Sequence, residues 1–74
     1  MTIAWERGPL PDFTHAKLAP GLELYAEWLP DRAAYRAVVF GISLRNLAKS
    51  MEQAQMLAEA HARRKLEGAL AKFA

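Results

Sequence analysis

The sequence predicts an α+β fold, an antiparallel β-meander of four to five strands packed against one long C-terminal α-helix. All four prolines and three of the four glycines lie before Ser50, where they divide the chain into short segments. No proline follows Ser50, and residues 51–73 are dense in Ala, Leu, Glu, Lys, Arg and Gln, which favour helices. Residues 22–28 alternate between apolar and polar side chains, which indicates a strand with one buried face.

The first two strands are predicted over residues 3–7 and 13–18. Between them, residues 8–12 read Gly-Pro-Leu-Pro-Asp, which is typical of a turn because proline lacks an amide donor and glycine tolerates unusual backbone angles. We expect these strands to pair with each other, since short connections favour pairing of neighbours in sequence order.

The central hairpin is predicted over residues 22–28 and 35–40, with residues 29–34 as its loop. The second of these segments is rich in β-branched and aromatic residues, which are enriched in strands. After it, Gly41-Ile42 is expected to turn the chain into a short strand over residues 44–48. That strand would lead directly into the helix.

A specific register of the hairpin follows from its apolar pattern. Pairing Trp28 with Tyr35 creates one continuous apolar face, on which we expect the helix to pack and to bury both rings. The same register sets Glu27 opposite Arg36, a favourable cross-strand charge pair. The residues assigned to the opposite face are Glu23, Tyr25, Glu27, Arg36, Val38 and Phe40.

The helix is predicted to begin at its cap, Ser50, and to run to residue 73. Ser50-Met51-Glu52-Gln53 matches a capping box, in which the Ser50 hydroxyl accepts from the Gln53 amide and the Gln53 side chain bonds back to the Ser50 amide. A helix of about 23 residues spans about 34 Å, whereas a strand of six residues spans about 20 Å. We therefore expect the helix from Arg63 onward to extend beyond the sheet.

Composition limits the class of protein. The 74 residues are predicted to form a single domain, residues 1–74, with the meander in 1–49 and the helix in 50–73. No segment approaches the roughly 18 consecutive apolar residues of a membrane span. There is no cysteine and no secretory signal pattern, so we expect a cytoplasmic protein without disulfides.

Catalytic and metal chemistry are not indicated. Ser43 and Ser50 are the only serines, Ser50 is assigned to the helix cap, and no glycine-rich phosphate loop is present. His15 and His61 are the only histidines and could meet if His15 pointed towards the helix. Two histidines fall short of the four ligands of a structural zinc site. We therefore expect no enzymatic activity, no cofactor and no metal.

The element order resembles that of small uncharacterised proteins of proteobacteria and their prophages, which carry an N-terminal strand with a tryptophan, a strand ending at a glycine turn, and a Ser-x-Glu-x-Ala helix start followed by Ala-Glu-Ala-His. The matching residues are Trp5, residues 35–41, Ser50, Glu52, Ala54 and residues 58–61. The resemblance covers most of the chain and implies a meander followed by one helix. It implies no function.

The predicted function is that of an interaction module, most simply a homodimer, with another protein as a further possible partner. Its candidate interface joins the outer sheet face to the end of the helix: Tyr25, Val38, Phe40, Leu66, Leu70 and Phe73. The alternative is single-stranded nucleic acid, with rings stacking on bases and arginines meeting phosphates, through Tyr25, Arg36, Phe40 and Arg45. Glu23 and Glu27 on the same face and a net charge of only +2 disfavour nucleic acid. A membrane partner is not expected.

Overall fold

The computed structural model describes residues 3–10 and 12–73 and has the predicted architecture. Neighbouring strands are antiparallel, and the sheet follows the order of the chain. One helix packs across the third and fourth strands. The elements are β1 (Glu6–Arg7), β2 (Phe13–Ala19), β3 (Leu22–Leu29), β4 (Ala34–Val39), β5 (Ile42–Ser43) and α1 (Met51–Ala71).

The register of the β3–β4 hairpin is confirmed. Trp28 is the partner of Tyr35, and Glu27 is the partner of Arg36. Because side chains alternate between the faces of a strand, this register turns one apolar face towards α1. The buried residues that the hairpin supplies to this face are Leu24, Ala26, Ala37 and Val39.

The expected strand over residues 44–48 is wrong. Phe40 and Gly41 both have positive φ, 51° and 84°, so they form a two-residue turn of the kind that closes a tight hairpin. The chain therefore reverses at once, and β5 begins at Ile42 as the partner of Val39. Of residues 44–48, Leu44 donates one backbone hydrogen bond to Ala37 of β4 at 2.9 Å, and Ala48 exchanges two with Tyr35 of 2.9 and 2.8 Å.

Ser50 caps the helix as predicted, but only one half of the capping box forms. The Ser50 hydroxyl accepts a hydrogen bond from the Gln53 amide at 3.1 Å. The Gln53 side chain accepts from the amide of Lys49 at 2.9 Å, one residue before the amide expected. The two bonds together close the turn that leads into α1.

Ser50→Ala is expected to lower the free energy of unfolding by about 1 kcal/mol, because the Gln53 amide loses its acceptor. The measurement is chemical denaturation followed by circular dichroism. Ser43→Ala is the matched control, since Ser43 is exposed on β5 and its loss should change stability by less than about 0.5 kcal/mol. Equal effects of the two substitutions would mean that the cap contributes nothing.

The core between helix and sheet consists mainly of alanine. The helix buries Ala54, Ala58 and Ala62, and Leu24 and Val39 are the largest fully buried side chains in the described part of the chain. Methyl groups on both surfaces let the helix backbone lie close to the sheet. Among the described residues, no helix is long and apolar enough to cross a membrane.

The predicted extension of the helix beyond the sheet is confirmed. None of residues 63–73, which we call the helix overhang, is buried. Leu66, Leu70 and Phe73 are 37%, 69% and 90% exposed. At 1.5 Å per residue, the part of α1 beyond Ala62 is about 14 Å long.

The expected burial of Trp28 is wrong. Trp28 lies on the helix-facing side of the sheet but is 37% exposed. Its ring packs against that of Tyr35, with 4.9 Å between the ring centroids. Tyr35 in turn packs against Ala26, Ala48 and Ala54, so it occupies the place next to the core that Trp28 was expected to share.

Candidate functional site

Three surface regions hold the residues that could carry a function. The first is an aromatic cluster on the outer sheet face, which is the face opposite the helix. The second is a hollow lined by arginines beside β4 and β5. The third is an apolar groove between the sheet and the helix overhang.

The aromatic cluster consists of Phe13, His15 and Tyr25. The ring of Phe13 lies 5.6 Å from that of Tyr25 and 6.2 Å from that of His15, between centroids, and is tilted by 34° to each. A Cβ atom at Gly8 would overlap the ring of Phe13, so glycine is the residue that leaves room for it. The three side chains line a shallow cleft of about 580 Å³, together with Glu6, Lys17 and Glu23.

A hydrogen bond within this cleft changes the acidity of Tyr25. The Tyr25 hydroxyl donates to a carboxylate oxygen of Glu23 at 2.5 Å. This bond raises the pKa of Tyr25 above its ordinary value of 10.0, and burial and the negative charge of Glu23 act in the same direction. The Tyr25 hydroxyl therefore stays protonated, and its proton is already donated in a hydrogen bond to Glu23.

Glu23→Gln is expected to return the pKa of Tyr25 towards its ordinary value of 10.0. Above that pH the wild-type folded state keeps a proton that the unfolded chain loses, so stability falls as pH rises towards the raised pKa. In the Glu23→Gln variant, this contribution of Tyr25 to the loss of stability at high pH should disappear. The change is measured by titrating the phenolate absorbance of two variants, Tyr35→Phe alone and Tyr35→Phe combined with Glu23→Gln. Tyr25 is the only tyrosine in both variants. Identical titration curves would contradict the assignment.

Phe40 does not lie on the outer sheet face, so this part of the predicted interface is wrong. Its positive φ of 51° interrupts the alternation of β4. The side chain packs instead against the core cluster that contains Leu24 and Val39. Tyr25 and Val38 are neighbours on the outer face, as predicted, but both are half-buried.

Apart from Phe40, the residues proposed for nucleic-acid contacts line two different hollows, although Tyr25 and Arg36 lie diagonally on the same face of β3 and β4. Arg36 and Arg45 line the hollow beside β4 and β5, whereas Tyr25 lines the cleft of the aromatic cluster. Among the described residues, none lines both the hollow and the cleft. Arg36 also forms an ion pair with its cross-strand neighbour Glu27. The structure thus groups Arg36 with Arg45 in a hollow lined by neither Tyr25 nor Phe40 among the described residues.

The two histidines do not meet. His15 is the partner of Tyr25 and contributes to the outer-face cluster. His61 lies on α1 beside Arg45 and Arg64, in a small hollow next to the loop before the helix. No group of three or more possible metal-ligating side chains occurs among residues 3–10 and 12–73.

The apolar groove lies where α1 leaves the sheet and has a volume of about 520 Å³. Leu66 and Leu70, two of the predicted interface residues, line its helix side. Its sheet side comes from the ends of β2 and β3 next to their turn and from the segment before β1, which sequence analysis missed because neither has a pattern that marks it as a surface. The apolar residues of that side are Ile3, Leu18, Ala19 and Leu22.

Charged side chains border the same groove. Glu59, Arg63 and Glu67 lie along the helix beside its apolar lining. Glu59 is held by a hydrogen bond of 3.2 Å from the indole nitrogen of Trp5. The groove is therefore apolar at its base and carries charges of both signs at its rim.

Comparisons with protein families, with curated proteins and with solved structures found no significant match. The resemblance to small proteobacterial and prophage proteins therefore stays a prediction.

Proposed function

We propose that this protein is a non-enzymatic, cytoplasmic interaction module that acts as a homodimer through the apolar groove and the helix overhang. The observation that carries the proposal is the exposure of Leu66, Leu70 and Phe73 on the helix overhang, where Leu66 and Leu70 also line an apolar groove. Contiguous exposed apolar surface of this kind usually marks an interface.

A second copy fits this surface because the surface contains both halves of a self-complementary contact. A two-fold interface uses the same patch on both subunits, so it needs a recess and a protrusion side by side. The groove is the recess, and Phe73, 90% exposed at the end of the helix, is the protrusion. Each copy can therefore receive the ring of the other.

The charges of the rim also suit two antiparallel helices. Glu59, Arg63 and Glu67 alternate in sign along one side of the helix. In an antiparallel pair whose two-fold axis passes between Arg63 and Glu67, Arg63 of each copy comes near Glu67 of the other, whereas a parallel pair sets like charges opposite each other. Such rim charges affect orientation and association rate more than affinity.

Burial energetics support a dimer of moderate affinity. Full burial of a Leu or Phe side chain is worth about 1.5–3 kcal/mol, and each copy contributes three such residues. Association costs about 4–15 kcal/mol before any contact is counted. A micromolar dimer needs a surplus of about 8 kcal/mol, which lies within the range left when this cost is subtracted from the burial of six such side chains, so we expect a dimer that forms in the micromolar range.

Sedimentation equilibrium of the wild-type chain between about 1 and 100 µM tests the proposal. The expected result is a concentration-dependent rise from the monomer mass of 8.3 kDa to twice that mass. A mass of 8.3 kDa at every concentration would overturn the proposal.

The alternative function, binding of single-stranded nucleic acid by the sheet face, has less support. It needs Tyr25 and Phe40 to stack on bases beside Arg36 and Arg45. Phe40 packs into the core, and the rings that lie together on the outer face have Glu6 and Glu23 beside them, whose carboxylates repel phosphates.

A further inference from the structure

Three arginines that are distant in the sequence converge on one hollow of about 330 Å³, which we call the arginine hollow. Arg32 comes from the loop between β3 and β4, Arg36 from β4, and Arg45 from the loop after β5. The tight turn at Phe40 and Gly41 makes this possible, because it brings residues 42–45 back beside β4.

The acidic groups nearby do not balance these arginines. Asp31 lines the hollow, and Glu27 is paired with Arg36 from the neighbouring strand. Three positive charges therefore face two negative ones. Among the described residues, Arg32 and Arg45 form no ion pair. This region thus holds a surplus of one positive charge, half of the net charge of +2 of the whole chain.

Arg36 also has an unused hydrogen-bond donor. Its Nη2 bonds to Glu27, but its Nε is buried and has no acceptor in the described structure. The Nε has almost no accessible surface, so a ligand in the hollow would contact the other guanidinium nitrogens of Arg36.

We propose that the arginine hollow binds a phosphate group. Guanidinium groups match the geometry of phosphate oxygens through paired N–H donors. The volume is at the lower end of the range for small-molecule sites, which suits a phosphate with a small substituent. Ser43 lines the hollow and adds a hydroxyl donor.

The lining determines which part of a phosphorylated ligand is recognised. Within residues 3–10 and 12–73, no aromatic side chain lines the arginine hollow, so stacking on a base contributes nothing there. We therefore expect binding that depends on the phosphate, is indifferent to the identity of any attached base, and weakens as salt concentration rises. This inference is independent of the proposed dimer, because the hollow shares no lining residue with the apolar groove.

The test is a titration of the isotopically labelled protein, monitored by amide NMR shifts at constant ionic strength, with sodium chloride as the reference. The probes are inorganic phosphate, a nucleoside monophosphate and a short single-stranded oligothymidine. The expected result is a saturable set of shifts at Arg32, Arg36, Ser43 and Arg45. Equal affinity for all three probes would identify a free phosphate as the ligand. At least tenfold tighter binding of the oligonucleotide through the same residues would identify backbone phosphates.

Arg45→Gln is expected to weaken phosphate binding by about tenfold or more, since it removes one of the paired donors. Arg7→Gln is the matched control, because it makes the same charge change on β1, at the opposite edge of the sheet from β5. The proposal fails if no probe gives saturable shifts up to about 10 mM. It also fails if Arg7→Gln weakens binding as much as Arg45→Gln.

Discussion

Leu24→Ala is expected to lower the free energy of unfolding by about 2–5 kcal/mol. Leu24 is fully buried, and Val39 is the other large side chain that is buried to the same degree. Most of the neighbouring core residues are alanines, which have no alternative rotamers with which to fill a cavity. The space left by the leucine should therefore remain largely empty, and the loss should lie in the upper part of the range.

The consequence is large for a chain of this size. A domain of about 70–80 residues has a stability of only a few kcal/mol from a single core, so we expect Leu24→Ala to be substantially unfolded at 25 °C. Urea denaturation followed by circular dichroism and tryptophan fluorescence measures the change. Met56→Ala is the control, since Met56 is 64% exposed on the helix. A loss below about 1 kcal/mol for Leu24→Ala would mean that this core contributes less than its burial indicates.

The combined substitution Leu70→Asp and Phe73→Asp is expected to raise the dissociation constant of the proposed dimer by at least about 100-fold. Each side chain is mostly exposed in the isolated chain, so the monomer should fold as before. In the dimer each aspartate would enter an apolar surface, and the loss of apolar burial alone accounts for this factor. Sedimentation equilibrium and circular dichroism measure mass and folding in the same samples.

Leu10→Asp is the matched control for this experiment. Leu10 is 67% exposed, close to the 69% of Leu70. It precedes β2, at the end of the sheet away from the turn between β2 and β3 that borders the groove. The control should sediment like the wild type. If the double variant also keeps the wild-type mass, or if Leu10→Asp dissociates the dimer equally, the interface lies elsewhere.

The order of the elements could be predicted from the sequence because the signals are local. The Ser50 cap joins residues three positions apart, and the proline-free segment after it consists mainly of residues that favour a helix. The β3–β4 register was predictable because alternation on two neighbouring strands allows one continuous apolar face. The helix overhang followed from comparing the lengths of a helix and a strand.

The candidate surfaces could be predicted only in part. Leu66, Leu70 and Phe73 were identified because their spacing on a helix is regular. The sheet side of the groove was missed, because Leu18 and Leu22 lie at the ends of β2 and β3 and their position relative to α1 depends on how the layers pack. Arg36 and Arg45 were expected beside aromatic rings, and the structure places them beside Arg32 instead.

By itself, the sequence of this protein determined what depends on neighbours along the chain: the meander, its central register, the helix start and the length of the helix. The tertiary structure decided what depends on backbone angles at single residues and on contacts between distant ones. Positive φ at Phe40 sent its ring into the core and started β5 early, and that early return brought Arg45 to Arg32 and Arg36. An argument from periodicity assumes that one backbone conformation repeats along the element. It therefore cannot detect a single residue, such as Phe40, whose φ is positive. The arginine hollow depends on that positive φ.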